Sequence, residues 1–172
     1  IALGETRNIP DFKEILSLLL LQAGSPITEQ PSQDTGLRSA LLVNSGLPVA
    51  PGESALDFYT QFANPSKPFY SWNRVMPDAQ AYFAAGDAAY YIGFASEFPA
   101  IKKKSPTLNF AVASVPQSRV AGKTITFGRT YAVAVARGTT NYEASAIAAI
   151  KLASQASVVE FAKVTGLPPA RR

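Results

Sequence analysis

Phe12, Ile15, Leu16, Leu19 and Leu20 recur at helical spacing, and Leu18 and Leu21 widen the stripe around the helix. A helix apolar on most sides has to be buried on most sides, so the rest of the chain must supply layers to cover it. The 172 residues contain no cysteine, so that cover cannot be stapled by disulfides. It has to come from the 47% of residues that are apolar, which is ample for a core in a chain of about one domain's size. Asn8, Pro10 and Asp11 supply start signals for this helix, and Gly24 is a natural stop. Asp11 and Glu14 lie one turn apart and are expected to form its solvated acidic edge.

The rest of the chain alternates. Residues 25–53 hold Pro26, Pro31, Pro48 and Pro51 and read mostly as connection. Helices are expected near 10–22, 53–63, 77–85, 97–104, 141–153 and 157–164, the last stopped by Gly166 and Pro168-Pro169. Strands are expected near 88–92, 108–113 and 125–136, where Tyr131, Val133 and Val135 alternate with small residues. Helices interleaved with strands make the fold class α/β. The Lys102-Lys103-Lys104 triplet sits where a helix's negative end favours cations, and it reads as structural.

Chemistry is narrowed by what is missing. With no His and no Cys, Ser-His-Asp and Cys-His catalysis, His/Cys zinc sites and iron–sulfur clusters have no residues to use. Gly122-Lys123-Thr124 resembles the end of a phosphate-binding loop, but the glycine required at position 117 is Gln, and a strand follows instead of a helix. No metal and no cofactor is expected. Charged residues make up 16% and the net charge is +4, spread too thinly for a nucleic-acid surface. A carboxylate enzyme using Asp87 or Glu97 is a weaker alternative, since a turn and a first helical turn explain both residues.

Twelve of the 18 aromatics lie between Phe58 and Phe98. Tyr59, Phe62, Tyr82 and Phe83 fall at core spacing. Trp72 lies instead in the irregular stretch Tyr70-Ser71-Trp72-Asn73-Arg74, and binding residues concentrate in such loops. An indole face beside an amide suits a sugar-like ligand.

Several segments in series resemble the extracellular solute-binding proteins of ABC importers, in the family-1 group that contains sugar-binding proteins. They are Ile1-Ala2-Leu3-Gly4 with the helix to Gly24, Ala55-Leu56-Asp57-Phe58-Tyr59, and Phe83-Ala84-Ala85-Gly86-Asp87-Ala88-Ala89. Next come Gly93-Phe94-Ala95-Ser96-Glu97, Leu108 to Pro116, and Gly166-Leu167-Pro168. The resemblance implies two α/β lobes joined by a hinge, with the solute in the cleft. Residues 1–114 would belong to the second lobe, 115–118 to the hinge, and 119–172 to a returning part of the first.

The same resemblance implies a non-catalytic protein outside the membrane, periplasmic or lipid-anchored, that captures a small carbohydrate-like solute for a permease. It places Gly93 and Phe94 at the cleft, brings Trp72 and Asn73 near it, and offers Arg129 as a donor from the returning strand. Ser96 is expected to cap the following helix and leave backbone donors facing the same turn. The chain opens at Ile1 and ends on Arg171-Arg172, so it reads as a middle piece of something longer, with self-association as one consequence. A structural or protein-interaction module is the alternative of a different class.

Overall fold

The computed structural model describes residues 1–44, 46–118, 123–167 and 169. The chain divides into two compact units, Ile1–Phe127 and Gly128–Arg172.

In the first unit the leucine-rich stripe forms α1, Phe12–Gln22, with Ile15, Leu18 and Leu20 buried. A short antiparallel pair follows, β1 (Thr28–Glu29) and β2 (Arg38–Ser39), in register Thr28 to Ser39 and Glu29 to Arg38. The helix α2, Pro51–Thr60, begins at a proline, whose missing N–H is no loss in a first turn. It continues as a 3-10 turn over Gln61–Ala63. Gly52 lets α2 approach the preceding backbone, because a Cβ there would run into the Leu41 carbonyl. α3, Ala79–Ala84, is capped by Asp78, whose side chain accepts the Ala81 N–H at 2.9 Å. A 3-10 turn, Ala95–Glu97, leads into α4, Phe98–Lys104, with the lysine triplet in its last turn.

α1 packs on α2, and the core cluster gathers Ala2, Leu3, Ile9, Ile15, Tyr59, Trp72 and Ala79. Tyr59 also donates from its hydroxyl to the Glu5 carbonyl at 2.7 Å, pinning the chain start to α2. Burial pushes this phenol up to about 12, opposed by a backbone hydrogen bond at Gly4 and helped by the nearby Glu5 charge.

The second unit holds α5, Tyr142–Leu152, and α6, Gln155–Thr165, packed on each other. Asn141 and Ser154 cap them through side-chain oxygens, and Gly166 closes α6 at φ 71°, a left-handed conformation that glycine adopts freely. None of the unit's described residues is buried. Ile150 is 72% exposed and Val164 86%, so α5 and α6 present an apolar surface of their own.

All six expected helices are present, with ends shifted by a few residues. The expected strands are not. Residues 88–92, 108–113 and 125–136 form neither helix nor ladder, and β1 with β2 is the only ladder among the described residues. The physical reason is that a strand is completed by a neighbour. Alternating side chains make a segment extended, but without a paired edge its backbone groups form no sheet. The described architecture is therefore rich in helix where an α/β alternation was expected. Residues 119–122, where the returning segment was expected to begin, and Pro168 of the final stop lie outside the described residues. No described helix is long and apolar enough to cross a membrane.

Candidate functional site

The turn from Tyr91 to Glu97 is built around one carboxylate. Tyr91 donates its hydroxyl to Glu97 Oε2 at 2.6 Å, and the Gln80 side-chain amide, from α3, donates to the same oxygen at 2.7 Å. The Phe94 backbone N–H donates to Oε1 at 2.7 Å. Burial acts to raise the Glu97 carboxyl, but the bonds from Tyr91, Phe94 and Gln80 outweigh it and hold the group below its usual range. The Tyr91 phenol moves the other way. Burial, then its bond to Glu97 and that group's charge, raise it well above an ordinary tyrosine.

This arrangement explains Gly93. A Cβ at that position would stand 2.6 Å from Tyr91 Cε1 and 2.8 Å from Glu97 Oε1, so any side chain there would push the ring or the carboxylate out of place. Tyr91 is held on its other face by Phe83, stacked at 5.7 Å. Tyr91 and Ile92 pack against the core, whereas Gly93 is exposed and Phe94 half-buried. The turn thus brings a glycine and an aromatic to the surface on a buried foundation. The Phe94 N–H is engaged by Glu97, and Ser96 lies inside the 3-10 turn, where no side-chain cap bond forms. Glu97, not Ser96, organises the chain entry into α4.

Trp72 lies in the core, 2% exposed. Its Nε1–H donates to Asn8 Oδ1 at 3.1 Å, and its ring meets Tyr82 edge-on at 5.4 Å. The expected open stacking face is therefore closed in this structure, and the reason is the Asn8 amide. Asn8 Nδ2 also donates to the carbonyls of Asn73 at 2.9 Å and Met76 at 2.7 Å, so one side chain ties the whole 72–76 loop to the chain start. Asn8 was expected as a helix cap, but Asp11 holds that position in α1. Asn73 uses its own side chain locally, accepting the Val75 N–H at 2.9 Å and donating to the Tyr70 hydroxyl at 2.8 Å. Arg129 is an exposed residue of the second unit.

Gln80 and Tyr91 take part in the site without having been singled out for it. A signal for Glu97 existed, because a glutamate three residues after an extended residue is the spacing at which a side chain reaches back to a backbone N–H. Nothing local marks Gln80, from α3, as its partner. The first unit also has an apolar groove of about 490 Å³ between α1 and α2, lined by Leu19, Phe58, Phe62, Ile92 and Val115 among others. It has few polar groups to orient a polar solute.

Residues 11–172 match the family model described as "Bacterial extracellular solute-binding protein". No curated protein and no solved structure matches the chain.

Proposed function

We propose, for a chain that belongs to the bacterial extracellular solute-binding protein family, that it captures a small polar solute of carbohydrate type through the Gly93–Phe94 turn. Membership carries the periplasmic-binding-protein fold and the family's role, which is solute binding outside the membrane as part of ABC transport. Our reading adds the solute class, transfer to a permease without chemical conversion, and a lipid tether to the membrane. It also adds the division into 1–114, a crossing at 115–118, and 119–172.

The observation that carries the reading is the turn itself. Phe94 is a half-exposed aromatic beside an exposed glycine, and its backbone is fixed through Glu97, which also takes Tyr91 and Gln80. A ring that is already positioned stacks on a sugar face with little ordering cost. Trp72 serves the site from behind, as core packing, and Asn73 and Arg129 are polar contacts proposed on the resemblance. Titration calorimetry against a panel of neutral sugars tests this. We expect one sugar class to bind and Phe94→Ala to weaken it by about 1–3 kcal/mol, the worth of burying an aromatic side chain. Absence of sugar binding, or equal binding by the variant, overturns the assignment.

A second reading has its own observation. The exposed Ile147, Ile150, Phe161 and Val164 of the second unit suit a protein partner, and self-association is the simplest form of it. Sedimentation analysis distinguishes the two: a monomer across the micromolar range removes self-association.

A further inference from the structure

We propose that the exposed lysine triplet at the end of α4, with Phe98 beside it, is a docking patch for an anionic phospholipid surface. Charge in the first unit is segregated along the chain. Residues 1–97 hold ten acidic side chains against five basic ones, whereas residues 98–127 hold five basic and no acidic one. Three of those five are consecutive, Lys102, Lys103 and Lys104, and all three are exposed. The negative end of a helix accounts for a cation in its last turn, but not for three with no acid in their stretch of chain. Among the described residues the ion pairs are Arg38 with Glu29, Arg74 with Glu5 and Lys163 with Glu160, and none uses the triplet.

The patch stands on a fixed base. Ile101 of α4 is buried, and the Ser105 hydroxyl that follows the helix donates to the Ala84 carbonyl at the end of α3. Lys102 Nζ donates to the Leu108 carbonyl at 3.3 Å and stands 5.8 Å from the centre of the Phe110 ring. The same ring packs on Phe98 at 5.3 Å, and Phe98 is 42% exposed. One turn of α4 separates Phe98 from Lys102, so an aromatic and the cations share one surface. Two features select phospholipid over an acidic protein face. The cations are all lysines, point charges that meet phosphates without the paired geometry an arginine brings to a carboxylate. An aromatic ring partly out of the protein beside lysines also suits headgroup depth, with the ring toward the acyl boundary and the ammonium groups toward phosphates.

This is independent of the solute reading, which stands whatever the outcome. The test is flotation of the full chain with vesicles of phosphatidylcholine alone, or of two parts phosphatidylcholine to one part phosphatidylglycerol. We expect binding to the mixed vesicles only, weakened as salt is raised, because salt screens exposed charges. A lysine near an anionic surface is worth about fivefold in partitioning, so Lys102→Gln, Lys103→Gln and Lys104→Gln together should reduce it about a hundredfold. A control that loses the same charge from exposed sites elsewhere, Arg7→Gln with Lys67→Gln and Lys151→Gln, should bind nearly as the parent does. Replacing the three lysines by arginine should preserve binding.

Absence of binding to the mixed vesicles overturns the proposal in the parent protein alone, and points the triplet to an acidic protein instead. So does equal binding to both kinds of vesicle. An equal loss in the control overturns it as well, since the attraction is then a matter of net charge and not of this patch. Loss of binding in the arginine variant does the same, because charge is then not what holds the protein to the vesicle.

Discussion

Removing the Asn8 side chain should loosen the first unit, because it anchors the 72–76 loop to the chain start. Asn8→Ala deletes three hydrogen bonds, to Asn73 O, Met76 O and Trp72 Nε1. Each such bond is worth about 0.5–1.5 kcal/mol net, and a buried partner left unmade costs more. The Asn73 carbonyl keeps a second donor, the Met76 N–H at 3.2 Å, so its loss is softened. The Trp72 indole has no such reserve, being 2% exposed. We therefore expect a cost of about 2–3 kcal/mol. The assay is urea denaturation followed by far-ultraviolet circular dichroism, with emission of the single tryptophan as a local report on the loop. Trp72→Phe removes the same indole bond from the other side. The double variant should then cost about 1 kcal/mol less than the sum of the two singles. An Asn8→Ala protein within about 0.5 kcal/mol of the parent, or strictly additive variants, would refute the claim that this amide holds the loop.

Alkaline titration should expose two held phenols. Tyr59 and Tyr91 should both ionise above the usual range of a tyrosine phenol, as read by tyrosinate absorbance in the wild type against Tyr59→Phe and Tyr91→Phe. For Tyr59 the folded value, about 12, lies above the unfolded 10. Its contribution to stability is thus complete below pH 10 and is lost as pH rises from 10 through 12, a loss that Tyr59→Phe should abolish in urea melts. Gly52→Ala should destabilise the first unit by about 1–3 kcal/mol or displace α2, since the new methyl meets the Leu41 carbonyl; an unchanged midpoint would contradict that close approach.

The helices were legible because each is written in local terms. The stripe of α1 and the Gly166 stop act within a turn or two of chain, whereas Pro51, which opens α2, read as part of the connection before it. The strand expectation used a pattern that is equally local, and there it had less force. Tyr131, Val133 and Val135 alternate as a strand requires, yet residues 125–136 have no ladder partner among the described residues. Conversely, Arg38–Ser39 pairs with Thr28–Glu29 in a proline-rich stretch with no clear period. The Arg38 guanidinium meets the Glu29 carboxylate at 2.8 Å across that pair, a cross-strand match that period alone does not reveal.

The site shows the same limit at the level of single side chains. Gly93 and Phe94 were visible as a turn, but the reason for the glycine is a ring and a carboxylate that close on it only in three dimensions. Asp11 read as a solvated first-turn acid because helix dipoles favour one there, and the dipole rule does not foresee that one of its carboxyl oxygens is closed off from solvent. Trp72 is the most instructive case. Its irregular surroundings suggested exposure, on the reasoning that loops lie at the surface. A loop is also the part of a chain that lacks its own internal hydrogen bonds, so it needs an anchor. The Phe62 carbonyl accepts the N–H groups of both Ser71 and Trp72, and Asn8 takes the indole N–H and two further carbonyl contacts of the same loop. The largest aromatic in such a segment is the side chain with most apolar area to bury, and burying it fixes the loop. The irregularity that pointed outward in the sequence is, in the folded chain, what required Trp72 to point inward.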